Sequence, residues 1–290
     1  MSDAPSSTRI LGVDFTSAPR KAKPITVVTC SLQGDLLQFE QIEELVSFPA
    51  FEAWLQQPGP WVAGMDFPFS QPRKLIENLG WPTQWQAMIS RIAELTIKEW
   101  ELLLKNYRDA RPAGDKQHLR RADAVADACS PMMMYGVPVG RMFFQGVPRL
   151  IQAGVAVPPL LENGDKRVAL EVYPALPARY LAGGAPYKSD QKKKQTPEHR
   201  NARRKICYGL ASSRMTERYG VMVDGVDWDL LVDDPTGDRL DALLCAVQAS
   251  WAWRKRDQNY GIPLDADPLE GWIADPGNVQ LLAAVVGTGR

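Results

Sequence analysis

Two short stretches decide the reading of this chain: RILGVDF at residues 9–15 and WVAGMDFPF at residues 61–69. Each is an apolar run of strand length that ends on an aspartate followed by phenylalanine. The first predicts a buried strand over 9–14; the second predicts one over 61–66, stopped by Phe67-Pro68. If the two strands are parallel neighbours, the carboxylates of Asp14 and Asp66 emerge at the same edge of the sheet. The carboxyl end of such strands is where open α/β sheets bind ligands.

Outward from these stretches, ITVVTCSL at 25–32 is β-branched and predicts a second strand. Gln33-Gly34-Asp35 is a turn, and LLQFE at 36–40 returns as a third strand, making a meander. Residues 48–57 look helical. From Pro82 to Arg108 the apolar residues Trp85, Met88, Ile89, Ile92, Leu95, Leu103 and Leu104 fall at helical spacing, over roughly seven turns. Helix and loop continue to Leu161 without a clear strand. RVALEVY at 167–173 restores strand character and is stopped by Pro174. Thr196-Pro197 and Asp234-Pro235 both read as an N-cap followed by proline at the first helical position. The last helix carries Leu240, Leu243, Leu244, Val247 and Trp251 on one face. Its small residues Ala242, Cys245, Ala246 and Ala249 let it pack close to a sheet. A meander followed by crossovers predicts an α/β mixed sheet flanked by helices on both faces. The organisation expected is a single domain over 1–290, with a helical insertion over 75–165.

The 290 residues are 45% hydrophobic and 23% charged, with a formal net charge of zero. That is ordinary globular composition, with no global field toward nucleic acid or membrane, so any such contact needs a local patch. The N-terminal MSDAPSSTRI has no apolar signal region, and no apolar run approaches membrane-helix length, so a cytoplasmic protein with no membrane partner is expected. Cys30, Cys129, Cys207 and Cys245 form no CxxC, and the two histidines, His118 and His199, cannot furnish a His/Cys zinc site. A bound metal should therefore be a hard cation held by carboxylates, Mg²⁺ or Mn²⁺.

The candidate carboxylates are Asp14, Asp66, Glu171, Asp238 and Asp241. Glu171 lies inside an apolar strand, where an unpaired carboxylate is costly. Asp238 and Asp241 are three apart on one helix face. Gathered carboxylates repel, and a divalent cation relieves the repulsion; two such ions can drive phosphodiester hydrolysis. Each residue also has a plainer reading. Asp14 would be a turn residue, Asp66 a cap on the Phe67-Pro68 turn, Glu171 the partner of Arg141 or Arg179, and Asp238 a helix-dipole residue. Asp241 lies further into the helix beside small residues, where a plain role is harder to assign.

Residues 188–205 hold eight Lys/Arg against two acidic residues. Lys192, Lys193, Lys194, Arg203, Arg204 and Lys205 are candidate phosphate contacts there, unless the stretch is simply a solvated face. Arg121 is a further candidate substrate contact within a second basic cluster, and Tyr173, Trp253 and Trp272 offer rings for base stacking or for the core. His118 and His199 read as surface histidines.

GVDFTSAP, GMDFPFS, ALEVYPA and DRLDALLCAVQASWAW resemble the domain-of-unknown-function 429 family, predicted nucleases of the RNase H fold. RADAVADACSPM and PLEGWIADP are similar to further family segments, so the resemblance runs from about Ile10 to Pro276. It implies an RNase H-like mixed sheet with an acid on the first strand (Asp14), one on the fourth (Asp66) and an acid pair on the last helix (Asp238 and Asp241). It implies a supporting acid at Glu171, a substrate role for Arg121, and a nucleic-acid partner, DNA or RNA. Two alternatives stand beside a metal-dependent nuclease. Asp14-Phe15-Thr16-Ser17 is close to the phosphate-contacting strand end of sugar-kinase and actin-like ATPases, with Gly183-Gly184 as the one adenosine-site candidate. A non-catalytic nucleic-acid-binding protein is the other.

Overall fold

The computed structural model describes residues 7–279. The start of the N-terminal segment in which no signal region is expected, and both ends of the 1–290 span, lie outside the described residues.

The chain opens with the expected meander, β1 (Thr8–Asp14), β2 (Ile25–Gln33) and β3 (Leu36–Leu45). Then come α1 (Phe48–Leu55) and β4 (Trp61–Met65), followed by α2 (Arg73–Asn78), α3 (Trp85–Ala93), α4 (Ile97–Asp109), α5 (Arg121–Ala126) and α6 (Val139–Ala153). β5 (Arg167–Glu171) leads to α7 (Ala175–Ala182), α8 (Pro197–Leu210), α9 (Ser213–Tyr219), β6 (Met222–Asp224), α10 (Trp228–Val232) and α11 (Asp238–Arg254). The six strands form one mixed sheet in the order β5-β4-β1-β2-β3-β6. β1 is antiparallel to β2 but parallel to β4, and β4 is parallel to β5.

Helices cover both faces, because alternate strand residues carry apolar side chains to each. Ile10, Val62 and Leu170 point to one core with α7, α8 and α11. Leu11, Val13, Ala63 and Met65 point to the other, with α1, α3, α4 and α6. The helical block between β4 and β5 is thus the crossover that covers the second face.

Packing of α11 on the sheet is the step that builds the site. Asp238 and all residues from Leu240 to Ala252 are buried, so the helix is enclosed on all sides and not along one apolar face as its pattern suggests. Gly12 and Gly64 lie opposite each other in β1 and β4. A Cβ on Gly12 would stand 1.9 Å from the Ala242 carbonyl oxygen, and one on Gly64 would stand 2.4 Å from that of Cys245. The glycine two residues before each aspartate is what lets the helix backbone touch the strands.

Several element ends differ from expectation. The long helix over 82–108 is two helices. Thr96 caps α4 by a capping box, its hydroxyl accepting from Glu99 N at 3.3 Å while the Glu99 carboxylate accepts from Thr96 N at 2.7 Å. Thr196 caps α8 as expected. α11, however, starts at Asp238 behind Gly237 (φ 73°), and Asp234 acts from further back, accepting from Arg239 N at 3.1 Å. β6 has three residues, too few to stand out as a pattern. Among the described residues no helix is long and apolar enough to cross a membrane.

Candidate functional site

The β1/β4 register aligns Val13 with Met65, and Asp66 N donates to the Val13 carbonyl at 3.0 Å, so Asp14 and Asp66 leave the sheet side by side. Both follow the alternation of Gly12 and Gly64, which puts them on the α11 face. The first turn of α11 brings Asp238 and Asp241 to the same place. Asp14, Asp238 and Asp241 are buried, Asp241 completely, and Asp66 is half-buried. The helix N-terminus favours the two acids of its first turn, but that does not cancel the cost of four clustered carboxylates.

Two lysines answer part of that charge. Lys23, from the β1–β2 loop, donates to Asp238 at 2.8 and 3.0 Å and to Asp190 at 2.8 Å. Lys188 is an exposed residue, but its ammonium reaches the fully buried Asp241 in a short ion pair. Tyr187 donates to the other Asp241 oxygen at 2.6 Å. Burial opposes the charge on both lysines; Asp238 and Asp14 outweigh it at Lys23, Asp241 and Asp14 at Lys188, and both remain firmly protonated. Burial drives the Asp14 carboxyl well above the usual range. Lys188 pulls it back, while Asp238, Asp241 and Asp66 push it further up. Asp66 is pushed up to about 7 by burial against the opposing pull of Lys188, with Asp241 and Glu171 adding to the rise. Burial likewise raises Asp238 despite Lys23.

Two features fix the Lys188 loop. Gly237 has a left-handed φ of 73°, and a Cβ there would stand 2.9 Å from the Lys188 Cβ. Arg203 is buried and donates to the Tyr187 carbonyl at 2.6 Å and to the Val232 carbonyl at 2.8 Å. Arg203 is therefore withdrawn as a phosphate contact: it positions the loop from inside. Lys192, Lys193, Lys194 and Lys205 are exposed and Arg204 is partly so.

Glu171 does not join the four aspartates. Its register partner is Met65, one residue before Asp66, so strand alternation turns it to the opposite face. There it accepts from Phe69 N at 2.9 Å and from the buried Arg120 at 2.8 Å. Arg120 also forks onto Asp123 at 2.7 and 3.0 Å. The partner is Arg120 and neither Arg141, which pairs with Glu101 at 2.8 Å, nor Arg179, which donates to the Ala126 carbonyl at 3.0 Å. Even so paired, burial keeps the Glu171 carboxyl raised. Arg121, the arginine singled out from the sequence, stands outside this network, bound to Asp265 at 2.8 Å and lying 5.9 Å from the Trp272 ring centre.

The sequence pattern does not single out Lys23, Tyr187 or Lys188, and it places Arg120 only as a member of the second basic cluster. Lys188 heads the basic stretch and Arg120 directly precedes Arg121, so both were in view; which of a run of basic residues turns inward depends on packing. His118 is buried and not a surface residue, its ring 2.7 Å from the Tyr107 hydroxyl. Gly183 closes α7 as a left-handed C-cap, which accounts for it without a nucleotide.

Residues 12–267 match the family described as "Protein of unknown function (DUF429)". The chain belongs to the DUF429 family. No curated protein and no solved structure matches it. The span matched to DUF429 contains all four clustered aspartates, both lysines and the Arg120–Asp123–Glu171 group.

Proposed function

We propose that this DUF429 protein is a divalent-cation-dependent nuclease of RNase H-like architecture. The observation that carries the reading is the convergence of Asp14, Asp66, Asp238 and Asp241 from β1, β4 and α11 around one ammonium. Lys188 pairs with Asp241 and opposes the rise of the other three carboxyls. A positive charge is already required at that point. Two ammonium groups do not satisfy the four clustered carboxyls, since Asp14, Asp66 and Asp238 all stay raised. An acid after the first strand, one after the fourth and a pair on the last helix are also what the RNase H-like resemblance implies.

The donors are all hard carboxylate oxygens, which suits Mg²⁺ or Mn²⁺. Among the described residues no three carboxylate, thiol or imidazole side chains stand together as a ready-made ligand set. With Lys23 and Lys188 resting on Asp238 and Asp241, cation binding requires these oxygens to exchange an ammonium for the metal. Asp14 and Asp241 would bind, and Asp66 and Asp238 would complete the set. A divalent cation there would supply charge for the phosphodiester oxygens and acidify a water. The chain's own contribution is then threefold. Asp66, with its carboxyl at about 7 before a cation binds, would give up its proton on joining the ligand set, so cation uptake strengthens as pH rises through neutrality. The displaced Lys188 ammonium is free to meet phosphate. Arg120, held by Glu171 and Asp123, fixes the end of β5 beside the cluster. The exposed Lys192, Lys193, Lys194, Arg204 and Lys205 would follow the nucleic-acid backbone.

The test is cleavage of single- and double-stranded DNA and RNA by the purified chain with Mn²⁺. Asp14→Asn and Asp241→Asn should each abolish it. Wild-type cleavage by the Asp14→Asn protein would refute the assignment.

A further inference from the structure

A cavity of about 300 Å³ opens beside the aspartate cluster. One wall carries Asp66, Asp241 and Lys188. The remainder is mostly apolar or aromatic, including Val137, Met142 and Tyr173, with the mutually paired Arg120, Asp123 and Glu171 also on the lining. Its volume sits at the small end of ligand sites, roughly 300–1,000 Å³, so it admits one ring system and excludes a duplex. Val137, on its lining, is 61% exposed, an apolar side chain left in water at the mouth. A nucleobase has the complementary form: flat apolar faces, a polar edge, and an attached phosphate to lie toward the charged wall. Stacking on aromatic surfaces is worth roughly 1–3 kcal/mol per base and tolerates any base.

We propose that this cavity receives one unstacked nucleobase next to the bond to be cut, so that the substrate is single-stranded or carries an unpaired nucleotide. The inference rests on the nuclease reading for what is cut, whereas occupancy of the cavity can be measured without any cleavage.

Cys129 supplies the measurement. It lines the cavity and is exposed, whereas Cys30, Cys207 and Cys245 are buried. Its alkylation by N-ethylmaleimide is followed on the full chain with adenosine 5′-monophosphate, thymidine 5′-monophosphate or inorganic phosphate. Nucleotide at about 10 mM, enough to fill a site of millimolar affinity, should slow labelling about fivefold or more, and phosphate alone should not. Met142→Trp, which fills the cavity, and Val137→Trp, at an exposed and tolerant position, should each remove that protection. Unchanged labelling with both nucleotides overturns the proposal, as does protection retained in both variants. In parallel, single-stranded DNA, a perfect duplex and a duplex with one bulged nucleotide are compared as substrates with Mn²⁺. A duplex cut as fast as the other two overturns the base pocket while leaving the nuclease reading intact. Protection without any cleavage sustains the pocket and removes the nuclease.

Discussion

Asp66→Asn should stabilise the protein, and more so as pH rises. The wild-type carboxyl goes from 3.8 to about 7 on folding. A group whose folded value is raised holds its proton more tightly in the folded state, so stability is full below about 4, falls as pH rises, and is lost completely above 7. At roughly 1.4 kcal/mol per tenfold change in proton affinity, the whole loss is about 4 kcal/mol, of which about 1.5 has gone by pH 5. Some 2.5 kcal/mol should therefore disappear between pH 5 and pH 8, and the partial exposure of Asp66 reduces this to about 1–2 kcal/mol. Asparagine carries no charge at either pH, and its introduction also removes one of the charges that raise Asp14. Urea unfolding at pH 5 and pH 8, in chelator, gives the comparison. The variant should exceed wild type at both pH values, with the margin wider at pH 8 by about 1–2 kcal/mol. An equal margin at the two pH values would refute the reasoning, since it would mean that Asp66 ionises freely in the folded protein.

Lys188→Ala should lower the melting temperature without divalent cation, because an ammonium felt by all four aspartates is gone; Mn²⁺ should then raise it by more than in wild type. Equal shifts in the two proteins would show that cation and ammonium do not compete. Arg120→Met leaves Glu171 and Asp123 buried without their partner and should cost about 3–5 kcal/mol at neutral pH. The loss should shrink toward pH 4 as the Glu171 carboxyl, already raised by burial, takes up a proton, which denaturant curves at the two pH values will register. Gly12→Ala sets a Cβ against the α11 backbone at Ala242 and Ala246 and should cost about 3 kcal/mol or more, with the melting curve as readout.

Much of the site was legible because it depends on strand ends and helix periodicity. GVD and GMD announce two buried strands with terminal acids, and a three-residue spacing announces an acid pair on one helix turn. What escaped depends on facing. Glu171 is an acid on a core strand like the others, yet alternation turns it away from α11 and onto Arg120, on the lining of the same cavity. Arg203 belongs to a basic run that reads as surface, yet one helical position turns it inward. Thr96-Ile97-Lys98-Glu99 carries its own capping signal, which a continuous apolar period obscured.

The sequence alone determined the elements that bear the aspartates, since hydrophobic period and turn residues act within a few positions of one another. From the scarcity of histidine and the scatter of cysteine it also leaves carboxylate oxygen as the expected donor for any metal. Only the tertiary structure decided which charges meet. Asp14 and Asp66 are brought together by the β1/β4 register, Asp238 and Asp241 reach them through two glycines that admit α11, and Lys23 and Lys188 arrive on loops closed from distant segments. Such contacts depend on long-range packing that no local pattern encodes.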